Sequence, residues 1–195
     1  MTDLLLNPTA TAQWHALVNE AQAATDRPLN EELESYLVFT LMRFTSKPEL
    51  MARIIALDFL ESLLETGRIR TERLRDIGDQ CLLVSGLFPQ RAVKRRVQIS
   101  YFVNLGRSAY GELATASVIS DRVAEMYLSL SEDFIALMDV LQAMRELGDQ
   151  EPLLEPLQAF ELWQDTRSSN ALRILRRYTS DPGSMAIHTD TDQKN

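Results

Sequence analysis

The chain is 195 residues long, 45% hydrophobic and 25% charged, with a formal net charge of −8. This is the profile of one water-facing domain large enough to bury a core, and it excludes a membrane-integral protein, because no apolar run approaches the roughly 18 residues needed for a span. The single cysteine, Cys81, excludes an internal disulfide, and residues 1–7 lack the basic start and long apolar run of a signal peptide, so a reducing cytoplasm is the expected setting.

In chain order, a first helix carries His15 beside Asn19 and Gln22 on its polar side. Asn30 then suits the N-cap of a helix reaching Phe44, in which Leu33, Leu37, Leu41 and Phe44 form one stripe, widened almost all round by Tyr36, Val38, Phe39 and Met42. Ser46 and Glu49 have capping-box spacing with Pro48 in the first turn, predicting a helix to about Thr66 that stops at Gly67. Its expected buried side holds Leu50, Ile54, Leu57, Leu60 and Leu64, with Met51, Ile55, Phe59 and Leu63 beside them. Asp58, Glu61, Ser62 and Glu65 would form a narrow polar stripe.

A further helix over 71–85 places Leu74, Ile77, Cys81 and Val84 on one apolar line. Gly86 and Pro89 end it and open another, expected to run to about Ala116 through Phe102, Leu105, Ala109 and Leu113, with Gly106 and Ala109 allowing close helix approach. From Ser120 to Leu147, apolar residues step by four and three as in a heptad seam. This is either one helix on the order of 40 Å long or two separated near Ser129 and Ser131. Helices over 152–166 and 170–178 follow, and the polar, Pro- and Gly-containing segment 179–195 is expected to be a disordered tail. The pattern predicts an all-α, single-domain bundle of seven to nine helices over residues 1–178.

Charge is uneven. From Arg68 to Arg96 there are eight basic residues (Arg68, Arg70, Arg73, Arg75, Arg91, Lys94, Arg95, Arg96) against three acidic ones (Glu72, Asp76, Asp79). Arg91, Lys94, Arg95 and Arg96 fall where a helix is expected to start, and cations there oppose the helix dipole. Compensation could come from Asp58, Glu61 and Glu65 within the fold or across a dimer, or from outside, by a phosphate-bearing ligand or an acidic protein segment. Arg173, Arg176 and Arg177 suit the end of their helix and need no partner.

Catalytic groups are few. Cys81 lies on the apolar line of its helix, which fits a buried small hydrophobe better than a nucleophile. Two histidines, His15 and His188, cannot supply a di-iron or zinc ligand set. Asp76 and Asp79, interleaved with Arg73 and Arg75, read as exposed intrahelical ion pairs. Glu31 and Glu34, followed by Asp58 and Glu61, resemble the paired acids of the all-α nucleoside triphosphate pyrophosphatases of the MazG-like family, with the second pair in reversed order. That resemblance implies a carboxylate-held Mg²⁺ and hydrolysis of a phosphoanhydride. The same residues also fit a helix N-terminus and a solvated stripe.

The stretch "RFTSKPELMARII" resembles the end of the DNA-binding domain in TetR-type repressors. Residues 1–45, however, carry six acids against two bases, the wrong sign for phosphate contacts, which argues against nucleic acid as a partner. Between Leu33 and Leu113, "ELESYLVFTLMRF", "IIALDFLESL", "LRDIGDQCLLVSGLFP" and "ISYFVNLGRSAYGELA" resemble a family of bacterial hypothetical proteins with no assigned activity, so no catalytic residue is implied. The expectation is a cytoplasmic binding or regulatory protein rather than an enzyme, without a cofactor and forming a homodimer, in which Arg91, Lys94, Arg95 and Arg96 contact a phosphate-bearing ligand or an acidic protein partner.

Overall fold

The structure, a computed structural model, describes residues 9–25, 28–47, 55–149 and 153–180. Ten helices and no strand occur among these residues: α1 (Ala10–Thr25), α2 (Glu31–Ser46), α3 (Ile55–Ser62), α4 (Gly67–Gly86), α5 (Gln90–Lys94), α6 (Ile99–Ala114), α7 (Asp121–Glu132), α8 (Phe134–Asp149), α9 (Pro156–Thr166) and α10 (Ser169–Ser180). The fold is all-α, and no helix among the described residues is long and apolar enough to cross a membrane. The expected positions of Glu49, Leu50, Met51, Ile54 and the Leu57 side chain lie outside the described residues, as do His188 and the tail from 181 onward.

Helix α4 is the axis of the bundle. Every residue from Ile77 to Gly86 is buried, and the helix packs on α3, α6 and α8. Two glycines permit these contacts: a Cβ on Gly78 would sit 2.4 Å from the Tyr110 ring, and one on Gly106 would sit 2.5 Å from the Phe134 ring and 2.8 Å from the Cys81 Cβ. Helix α2 starts as its sequence indicates. The Asn30 side chain accepts from the Leu33 amide at 2.8 Å, and Glu31, Glu32 and Glu34 occupy the first turn, where the dipole favours acids. Leu33, Leu37, Val38 and Leu41 are buried, whereas Phe39 is 61% exposed, so the apolar stripe is narrower than expected.

Two long helices are broken. The segment expected to run from Pro89 to Ala116 turns at residues 95–98, where Arg96 adopts a left-handed φ of 57°. The seam after Ser120 breaks at Asp133, whose amide closes α7 on the Ser129 carbonyl at 2.9 Å and whose carbonyl opens α8 by accepting from Leu137 at 3.0 Å. Tyr127, Leu130, Phe134, Leu137 and Leu141 are all buried, so the seam is satisfied inside the chain. These breaks raise the helix number to ten among the described residues.

Helix α3 departs most. Ser46 ends α2 instead of opening the next helix, and its hydroxyl donates to the Met42 carbonyl. At the end of α3 the expected faces change places: Ile55 is buried and Phe59 packs on the core as expected, but Ser62 is fully buried, while Leu60 is 61% exposed, as are Leu63 and Leu64 just beyond it at 53% and 88%. The cause lies on α4. Arg73 draws Glu61 to 2.5 Å, Glu65 to 2.8 Å and Asp58 to 3.7 Å, which holds these acids against α4 and leaves the leucines outward.

Candidate functional site

The four basic residues occupy the corner between α5 and α6. Arg91, Lys94, Arg95 and Arg96 are all exposed. They do not start a long helix: Arg91 and Lys94 lie in the last turn of a five-residue helix, and Arg95 and Arg96 follow it. Cations there meet carbonyl oxygens, so the dipole penalty expected from the sequence is absent. Asp58, Glu61 and Glu65, expected to compensate this corner, converge on Arg73 instead. The Arg91 guanidinium lies 5.4 Å from the Phe88 ring centre. For Lys94, Arg95 and Arg96 no carboxylate partner is found among the described residues. Beside this corner is a groove of about 260 Å³ lined by Val93, Arg96, Val97, Gln98, Ile99, Ser100, Gln158, Glu161 and Leu162.

The acids of the pyrophosphatase-like pattern are held in three different places. Glu31 lines an open groove between α2 and α7 with Glu32, Arg122 and Glu125. Glu34 lies against α1, 2.9 Å from His15 Nδ1 and 3.3 Å from the donating Gln22 amide. Asp58 and Glu61 serve Arg73. No group of three or more His, Cys, Asp or Glu residues suited to a metal ion occurs among the described residues. His15 is thus a bridge between α1 and α2.

The most concentrated polar chemistry lies at Asp79, where the expectation of an exposed intrahelical pair is overturned. Its side chain is only 9% exposed. Tyr36 donates to Oδ1 at 2.6 Å and Tyr110 to the same oxygen at 2.8 Å, while Arg43 donates to Oδ2 at 3.0 Å and reaches Asp76 at 2.5 Å through its other nitrogen. Arg75 stays 3.8 Å from Asp76. Burial pushes the Asp79 carboxyl above its ordinary value although Tyr36, Tyr110 and Arg43 favour its charged form. Burial, with the carboxylate beside them, also raises the Tyr36 and Tyr110 hydroxyls. Tyr127 stacks on Tyr110 with ring centres 6.0 Å apart.

This network joins α2, α4, α6 and α7 and can act as a polar clamp. The adjoining cavity, lined by Thr40, Arg43, Phe44, Asp76, Asp79, Gln80 and Leu83, has about 10 Å³, room for a water-sized body and for no organic substrate. The sequence held a signal for it. Asp79 is the single charged residue between Ile77 and Gly86, and a helix with one isolated acid in so apolar a run is surrounded by protein.

A second polar network fixes α10. Asp139, fully buried, accepts from the Ser168 hydroxyl and, at 2.8 Å, from the Ser169 amide. Gln142 donates to the Ser85 carbonyl at 2.9 Å and accepts from Asn170 at 3.0 Å. Arg173, expected to need no partner, binds both Glu146 and Asn170. Cys81 is fully buried, and burial raises its thiol far above the ordinary value, as expected of a packing residue.

Taken together these features define an all-α bundle stapled by two buried polar networks, with a cationic corner. No family model matches the chain, and neither a curated protein nor a solved structure is significantly similar to it.

Proposed function

We propose that the chain is a binding or regulatory protein that docks an acidic segment of a partner protein on the α5–α6 corner. The observation that carries this reading is the lack of an acidic partner, among the described residues, for the three adjacent exposed cations Lys94, Arg95 and Arg96 in a chain of net charge −8. Side by side they repel one another, and an incoming row of carboxylates relieves that repulsion while forming charge-assisted hydrogen bonds. Val93, 40% exposed beside them, adds an apolar contact. An acidic peptide suits this corner better than a small phosphate-bearing ligand, because the neighbouring groove includes Glu161 in its wall.

The test is fluorescence anisotropy with a labelled polyglutamate peptide, with inorganic pyrophosphate as competitor. Wild type should bind at low salt and weaken as salt rises. Lys94→Glu combined with Arg95→Glu and Arg96→Glu should lose about tenfold or more in affinity, roughly 1.4 kcal/mol, with unchanged circular dichroism. Equal binding by wild type and variant, or binding of pyrophosphate without the peptide, discards the reading.

A further inference from the structure

The end of α3 and the turn into α4 form an unusual surface. Leu60, Leu63 and Leu64, with Ile69 65% exposed at the start of α4, place four aliphatic side chains within ten residues against solvent. Scattered surface leucines are ordinary, but four exposed aliphatic side chains within ten residues mark a contact surface. At roughly 100 Å² of apolar surface per fully exposed Leu or Ile, the four present on the order of 270 Å². That is about a third of the ~800 Å² each partner gives to a stable interface, a suitable share for its apolar centre.

The charges around this patch indicate what covers it. Arg68, Arg70 and Arg73, which follow it in sequence, are already paired within the chain: Arg68 with Glu72 at 2.8 Å, Arg70 with Glu112 at 2.6 Å, and Arg73 with Glu61 and Glu65. From Glu61 to Arg73 the sequence holds three acids and three bases. A chain of net charge −8 repels a copy of itself across most of its surface, but not across a locally neutral one. We infer that this face is the interface between two copies of the chain, related by a two-fold axis that brings Leu60 and Leu64 of one protomer against those of its partner.

The full chain is tested by sedimentation equilibrium. Wild type should be a dimer at micromolar concentration, and Leu60→Glu with Leu64→Glu should weaken association by roughly a hundredfold or more at unchanged far-UV circular dichroism. A wild-type monomer, or a folded variant that still dimerises, overturns the proposal. Should the glutamates disturb folding, Leu64→Cys decides, because Cys81 is buried and leaves one reactive thiol. A bifunctional maleimide should link two Leu64→Cys chains and should not link Leu17→Cys, placed on the 41% exposed Leu17 of α1. Failure of Leu64→Cys to cross-link, or equal cross-linking at both positions, overturns it as well.

Discussion

Replacing Asp79 with alanine should be among the most damaging single changes in this protein. The substitution leaves the Tyr110 hydroxyl, in a fully buried residue, and the Tyr36 hydroxyl without their acceptor, and takes from Arg43 one of its two carboxylates. A stranded buried donor costs about 1–3 kcal/mol, so the two hydroxyls together represent roughly 2–6 kcal/mol. Removing the cost of burying the carboxylate offsets part of this, giving an expected net loss of about 3 kcal/mol, a large fraction of the 5–15 kcal/mol typical of a domain. Urea unfolding followed by circular dichroism and by the fluorescence of Trp14 and Trp163 measures it. Adding Tyr36→Phe and Tyr110→Phe to Asp79→Ala removes donors and acceptor together, so the combined loss should fall short of the sum of the separate losses by about 1–3 kcal/mol. A loss below about 1 kcal/mol for Asp79→Ala, or simple additivity, would refute the clamp.

The same carboxyl gives a pH signature. Because burial raises it in the folded state, its contribution is fully present below the ordinary carboxylate value and is lost as pH rises through the raised one, so the stability of wild type relative to Asp79→Asn should fall as pH rises above the ordinary carboxylate range; parallel curves for the two would contradict this. Gly106→Ala should destabilise by about 1–3 kcal/mol by pressing on Phe134, whereas Gly148→Ala, with nothing within 4 Å, should stabilise by up to about 1 kcal/mol; thermal melts giving equal shifts would show that close packing is not the cause. Arg96→Gly should raise stability by about 0.5–1 kcal/mol by relieving a left-handed backbone while weakening binding of the acidic peptide, and a loss of stability in urea would count against that strain. Thiol labelling of Cys81 in native buffer should proceed no faster than unfolding; rapid stoichiometric labelling would show the sulfur to be accessible.

Much of the fold is legible where local chemistry decides it. Asn30 caps α2 and Leu33, Leu37 and Leu41 bury one face of it, because cap and stripe are set by neighbours a few residues away. Cys81 is buried for the same reason. The orientation of α3 is not local: its leucines follow a buried-face pattern, and it is Arg73, twelve residues beyond Glu61, that turns them outward. The break at Arg96 involves neither glycine nor proline, so composition carries no mark of it, whereas the break at Asp133 falls two residues after Ser131, where the sequence left one open. The chemistry of Asp79 also depends on distance along the chain, since Tyr36 lies 43 residues before it and Tyr110 31 residues after it. Its isolation among apolar residues is the one local trace.

The anchoring of α10 bears on how far the chain can be trimmed. A last helix stuck on by leucines alone could peel away and leave a greasy scar, but this one ends in directional bonds that accept a single register. Cutting the chain before Ser168 would take the Ser168 hydroxyl and Ser169 amide from Asp139 and the Asn170 amide from Gln142, both fully buried, and leave them facing a hole. The shortest fragment able to fold therefore retains the helix, and a deletion that looks cosmetic on paper would unseat the centre of the molecule.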